Sequence, residues 1–134
     1  MTRFTLRALL LLLVASLTAI AFASDSETLT GAFVWNNDEG EVTGDLKAVF
    51  TQAGDEAWKV VFYFDWEGEP HVWKGMAKGN LSSGKLSGEV TADLDEPVTF
   101  SFTGKFKDGT FHGTHSQIRK EDKRKQTGTL TLGR

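Results

Sequence analysis

The chain has 134 residues, a formal net charge of −3, fourteen glycines, two prolines and no cysteine. The length suits one domain, and the absence of cysteine excludes a disulfide framework and a Cys-His catalytic pair. The weakly acidic balance argues against a nucleic-acid-binding surface, because such a surface needs clustered positive charge.

The first residues predict a secretory signal peptide over residues 1–23. Two arginines precede an apolar run of leucines and alanines, and the run ends at Ala23 in an Ala-x-Ala cleavage site. The run is shorter than the ~20 apolar residues that a membrane-spanning helix needs. We therefore expect cleavage after Ala23, a secreted or periplasmic domain over residues 24–134, and no membrane anchor in the mature chain.

The rest of the chain alternates apolar and polar residues in one segment after another, which is typical of strands with one buried face. No segment keeps a period of 3.6 residues, so helices are not predicted. The segments begin, in chain order, near Leu29, Val42, Trp58, Trp73, Leu86, Val98, Phe111 and Gly128. They predict an all-β fold, a single antiparallel up-and-down meander of about eight strands. A closed small β-barrel is the simplest form of such a meander, with an open sheet or a two-sheet sandwich as the alternative.

The third segment carries most of the bulk. Its alternate residues all lie on one face and include two tryptophans and two phenylalanines: Trp58, Val60, Phe62, Phe64 and Trp66. Most other segments have a glycine on the corresponding face. Short turns would place Phe64 beside Trp73 and Phe62 beside Gly75, and would align an inward row of Gly79, Gly88, Gly104 and Gly113.

We expect the aromatic side chains to fill most of the barrel interior. The competing hypothesis is a carrier of a small apolar ligand, which would keep a cavity of ~300 Å³ or more at one mouth. Aromatic and polar inward positions give the candidate ligand-pocket residues of such a carrier: Trp58, Phe62, Trp73, His115 and Gln117.

No catalytic, cofactor or metal site is predicted. His112 and His115 are three residues apart in a strand and so face opposite sides of the sheet, and His71 lies in a distant turn. The carboxylates cluster in turns or on the polar face, where solvation explains them. The basic stretch over residues 119–125 fits a solvated hairpin loop.

Four apolar residues lie on the otherwise polar outer face of the 58–81 hairpin: Val61, Tyr63, Val72 and Met76. The assumed register places Val61 beside Met76, so these residues would form one apolar patch with lysines at its rim. Such a patch indicates a contact surface for a homodimer or another protein partner.

Two short stretches resemble avidin-type barrels. Leu29-Thr30-Gly31 followed by Trp35-Asn36 is similar to their opening strand, and His71-x-Trp73-x-Gly75 is similar to a later stretch. Eight-stranded lipocalin-like barrels share the general plan. The resemblance implies a small closed barrel and transfers no binding residue.

These patterns favour a non-catalytic β-barrel that acts through binding or as a structural component. The apolar-ligand carrier is the alternative. A small outer-membrane barrel is a third hypothesis, in which the Phe and Trp face would meet lipid and the charged face would line the interior.

Overall fold

The computed structural model describes residues 25–92, 94–95, 97–119 and 123–134, so the predicted signal peptide lies outside the described residues. Over these ranges the chain forms eight strands: β1 (Ser26–Asn37), β2 (Gly40–Gly54), β3 (Ala57–Trp66), β4 (Glu69–Gly79), β5 (Gly84–Ala92), β6 (Thr99–Lys107), β7 (Thr110–Ile118) and β8 (Arg124–Gly133). Each strand pairs antiparallel with the next, and β1 pairs with β8 to close the barrel. The predicted all-β, closed, eight-stranded meander is confirmed.

The alternating pattern sets the two faces of the sheet as predicted. The phenylalanines, leucines and valines of the inner face form one core, and the largest of its fully buried side chains are Phe50, Phe111, Leu29, Leu86, Leu132, Val60 and Val90. The outer-membrane hypothesis required the Phe and Trp face to point outwards. That orientation is wrong, because the same face lines the interior.

The two ends of the barrel differ. We call the end that carries the connections 55–56, 80–83 and 108–109 the closed end. Leu81 in the 80–83 connection is only 3% exposed and belongs to the core cluster. The Trp58 Nε1 atom donates a hydrogen bond to the Gly79 carbonyl oxygen at 2.9 Å, which ties β3 to the end of β4. This end is therefore packed and sealed.

The register of the β3–β4 hairpin differs from the predicted one by two residues. The turn has two residues, Glu67 and Gly68, which both have positive φ angles of 52° and 80°. A left-handed pair of this kind matches the twist of a tight hairpin. Phe62 consequently pairs with Trp73, and Val60 pairs with Gly75. A shift of two residues leaves every side chain on its predicted face.

The predicted row of aligned glycines is wrong except at one pair. Gly104 pairs with Gly113 as expected, but Gly79 pairs with Leu86, and Gly88 lies beside Ala77 and Phe102. The glycines are staggered because the 80–83 and 93–98 connections are both longer than the assumed turns. A Cβ atom at Gly88 would lie 2.6 Å from the Phe102 ring, so an aromatic side chain covers the exposed backbone there.

Candidate functional site

A cavity of about 350 Å³ opens at the end opposite the closed end. We call this end, which carries the connections 38–39, 67–68, 93–98 and 119–123, the open mouth. The expectation of a mostly filled interior is wrong here, because the corrected registers stagger the aromatic side chains around a space that they do not fill. Most of the lining side chains are aromatic or aliphatic. The complete lining is Phe33, Trp35, Leu46, Phe62, Phe64, Trp66, His71, Trp73, Val90, Leu94, Val98, Phe100, Ser101, Phe102, His115, Gln117 and Leu130.

The wall of the cavity is a continuous set of ring contacts. Trp73 stacks on Phe100 with a centroid distance of 4.6 Å and an interplanar angle of 15°. Phe64 meets Trp73 edge-on at 4.8 Å. Trp35 meets Phe100 edge-on at 5.4 Å, and Phe33 meets Phe64 in the same way at 5.4 Å. These contacts join four strands across the barrel and hold flat apolar surfaces around the cavity.

His115 is the most buried polar residue of the wall, and both of its ring nitrogens are occupied. Nε2 lies 2.9 Å from the Val34 carbonyl oxygen, and Nδ1 lies 2.6 Å from the Thr127 hydroxyl oxygen. A carbonyl oxygen only accepts, so Nε2 carries a proton. The Thr127 hydroxyl has one hydrogen and two acceptors within reach, which are Nδ1 of the neutral ring at 2.6 Å and the His115 carbonyl oxygen at 3.1 Å. The ring also stacks on Trp35 at 5.6 Å. The two hydrogen bonds of His115 therefore hold this part of the wall in place, and its ring can contact a ligand.

Thr127 reaches His115 through a β-bulge. His115 pairs with Gly128 and Ser116 pairs with Gln126, so Thr127 is the extra residue of β8. The bulge leaves Thr127 only 4% exposed beside the imidazole. The periodic pattern did not indicate this contact, because a bulge interrupts that pattern.

Burial lowers the pKa of His115 from its ordinary value of 6.5, and the hydrogen bond to the Val34 carbonyl opposes this shift. The unfolded chain takes up the proton at the ordinary value, whereas the folded chain takes it up only at lower pH. Acidification through this window therefore favours the unfolded state. We expect the urea midpoint to fall as the pH is lowered from about 7.5 to about 5.5, the range in which histidine titrates.

The pH dependence can be assigned by comparing two histidine variants. His115→Gln should lose this part of the pH dependence, whatever its effect on stability at neutral pH. His112→Gln should keep it, because His112 is exposed on the other face of β7. Equal pH dependence in the wild type and in His115→Gln would contradict the assignment to His115.

Further residues with polar groups line the cavity, among them Ser101, Trp73, Gln117 and His71. Trp73 Nε1 is buried and has no hydrogen-bond partner among the described residues. Gln117 is half-buried, and its side-chain amide makes no hydrogen bond to those residues. His71 stacks on Phe64 with a centroid distance of 5.4 Å. Among the residues that the structure describes, the lining contains no lysine, arginine, aspartate or glutamate, so a ligand would meet no fixed charge from these side chains.

The structure brings together four of the five residues named from the sequence for a carrier pocket. Phe62, Trp73, His115 and Gln117 line the cavity. Trp58 does not, because it lies at the closed end with its indole bonded to Gly79. The sequence reasoning also missed Trp35 and Phe100 as lining residues of the cavity.

The part of the chain that the structure describes contains no group of three His, Asp or Glu side chains able to hold a metal ion. His112 is exposed and His115 is buried, so these histidines face opposite sides of β7 as predicted.

The residue pairing predicted for the apolar patch on the outer face of β3 and β4 is wrong in part. Tyr63, Val72 and Met76 are 40%, 37% and 50% exposed, and Val61 is half-buried. However, Val61 pairs with Lys74 and Met76 pairs with Lys59, which corrects the assumed Val61–Met76 pairing. The Lys47 ammonium also lies 5.3 Å from the centroid of the Tyr63 ring. Tyr63 nevertheless pairs directly with Val72, and lysines stand opposite the other two apolar residues. The dimer or partner interface stays a prediction.

Comparisons with protein-family models, with curated proteins and with solved structures found no match to this chain. In the ranges that the structure describes, no helix has the length and apolar character needed to cross a membrane.

Proposed function

We propose that this chain is a non-catalytic binding protein that carries a small, largely apolar molecule in the open mouth of its barrel. The observation that carries the proposal is the aromatic-walled cavity of about 350 Å³. Its volume lies at the lower end of the ~300–1,000 Å³ range of small-molecule pockets. Such sites are lined mainly by apolar and aromatic groups with a few polar groups for orientation, and this wall has that composition.

The described lining residues carry no fixed charge, and this narrows the ligand class. A buried ion is costly unless an opposite charge or several hydrogen bonds compensate it. A neutral molecule with flat or branched apolar surface suits this wall better than an organic ion does. Together with the signal peptide predicted over residues 1–23, the proposal describes a secreted or periplasmic carrier.

A fluorescent probe tests the proposal directly. N-phenylnaphthylamine is neutral and apolar, and its emission increases when it leaves water. We expect saturable binding to the wild type with a stoichiometry of one. Val98 lies at the mouth beside the start of β6 and lines the cavity. Val98→Trp should weaken probe binding by about tenfold or more, because the larger side chain occupies the space.

The matched control makes the same change on the outer face. Val72 is exposed on β4 and does not line the cavity, so Val72→Trp should bind the probe as the wild type does. Native mass spectrometry of the protein purified from a secreting host adds a second measurement, since a retained ligand would appear as a mass increment. Absence of saturable binding for a panel of neutral apolar probes would contradict the carrier function and favour a structural role.

A further inference from the structure

The indole nitrogen of Trp73 is an unpaired donor within the wall of the cavity. The side chain lines the cavity, but its Nε1 atom is buried and has no partner among the described residues. Buried donors in folded proteins nearly always have a partner, because an unpaired one has lost its hydrogen bond to water. Each unpaired donor therefore needs an explanation, and one that borders a binding cavity points to the ligand.

The two rings in contact with Trp73 supply no strong acceptor, and none of the other polar side chains of the lining, including the Gln117 amide, is bonded to the indole nitrogen. Phe100 stacks on the indole at 4.6 Å, and Phe64 meets it edge-on at 4.8 Å. Both nitrogens of His115 are already bonded to Val34 and Thr127. An aromatic face accepts an N–H only weakly. The cavity is thus the space from which a strong acceptor can come.

We propose that the natural ligand carries a neutral hydrogen-bond acceptor of the carbonyl type, and that Trp73 Nε1 donates to it. This inference rests on the proposed function. The nitrogen is buried, so an acceptor in the cavity reaches it only when a flanking ring moves aside. Phe64 is the half-buried one of the two rings, and it stacks on His71. The ligand thereby exchanges one ring contact for a hydrogen bond and becomes fixed in orientation.

Two ligands of equal size separate this hydrogen bond from apolar contact. Acetylnaphthalene and isopropylnaphthalene have the same ring and nearly the same shape, but only the former has an acceptor oxygen. In competition with N-phenylnaphthylamine, the wild type should bind acetylnaphthalene about tenfold more tightly, as one net hydrogen bond allows. Trp73→Phe should reduce this ratio to about one, because it removes the donor and keeps a ring.

The control variant is Trp58→Phe, which alters a tryptophan at the closed end outside the cavity and should keep the tenfold ratio. Equal affinities of the wild type for the two ligands would overturn the inference, as would a preference for the ketone that survives in Trp73→Phe. If the probe and both ligands fail to bind the wild type, the proposed function itself fails. Probe binding without ketone preference overturns the inference alone.

If Trp73→Phe does not fold, a measurement on the wild type tests the proposed hydrogen bond from Trp73 to the ligand. The chain has four tryptophans, so nitrogen-labelled tryptophan gives four indole N–H signals in an NMR spectrum. Variants of the other three tryptophans identify the Trp73 signal by elimination. Acetylnaphthalene should move that signal downfield and isopropylnaphthalene should not. A Trp73 signal that responds equally to both ligands would overturn the inference.

Discussion

Replacing Phe50 by Ala is expected to lower the free energy of unfolding by about 3–5 kcal/mol. Phe50 is fully buried on β2, in the half of the barrel nearer the closed end. The neighbouring side chains belong to a closed barrel and cannot collapse into the space that the ring leaves. The loss therefore combines the transfer free energy of the ring with the free energy of the new cavity.

The control for this prediction is Phe64→Ala at the open mouth. Phe64 is half-buried and borders the existing cavity, so its removal enlarges a space that is already present. We expect a smaller loss, about 1–2 kcal/mol. Urea unfolding followed by circular dichroism measures both variants. Equal losses would mean that the open mouth is as tightly packed as the closed end, which would contradict the cavity.

The fold could be predicted because alternation fixes which face each side chain occupies. A wrong turn length did not spoil that result. The β3–β4 turn is two residues shorter than assumed, but an even shift of register exchanges partners and leaves the faces unchanged. Phe62 and Trp73 therefore remained inward, although the partner of Phe62 is Trp73 and not Gly75.

The cavity could not be predicted in the same way. Alternation tells which side chains enter the barrel, but the volume that they fill depends on how the rings stagger between strands. That stagger follows from turn lengths, which the sequence indicated only in part. The Thr127–His115 contact escaped prediction for another reason. It depends on a bulge, and a bulge breaks the period from which the strands were read.

In the proposed function, the two ends of the barrel divide stability and binding between them. Fully buried side chains such as Leu29, Leu86 and Phe111 seal one end, and half-buried aromatic side chains surround a space at the other. An unpaired donor and an unfilled cavity both reduce stability. The stability of the packed end compensates for the stability that these features cost the open mouth, as is common for binding sites on rigid scaffolds.

The second large effect is expected at a glycine of β4. Replacing Gly75 by Ala should lower the free energy of unfolding by about 3 kcal/mol or more. A Cβ atom built at this position would lie 1.7 Å from the carbonyl oxygen of Glu89 on β5. The obstacle is backbone, so no rotation of a side chain relieves it, and β4 and β5 must separate locally. Gly75 therefore allows a close approach of the two strands.

The matched control is Gly133→Ala at the end of β8. The nearest atom to a Cβ there is 3.8 Å away, and the residue has no positive φ angle. This variant should differ from the wild type by less than about 0.5 kcal/mol. Thermal and urea unfolding of the two variants gives the comparison, and probe binding shows whether the mouth is disturbed. A Gly75→Ala protein as stable as Gly133→Ala would contradict the close approach of β4 to β5 and, with it, the register of this side of the barrel.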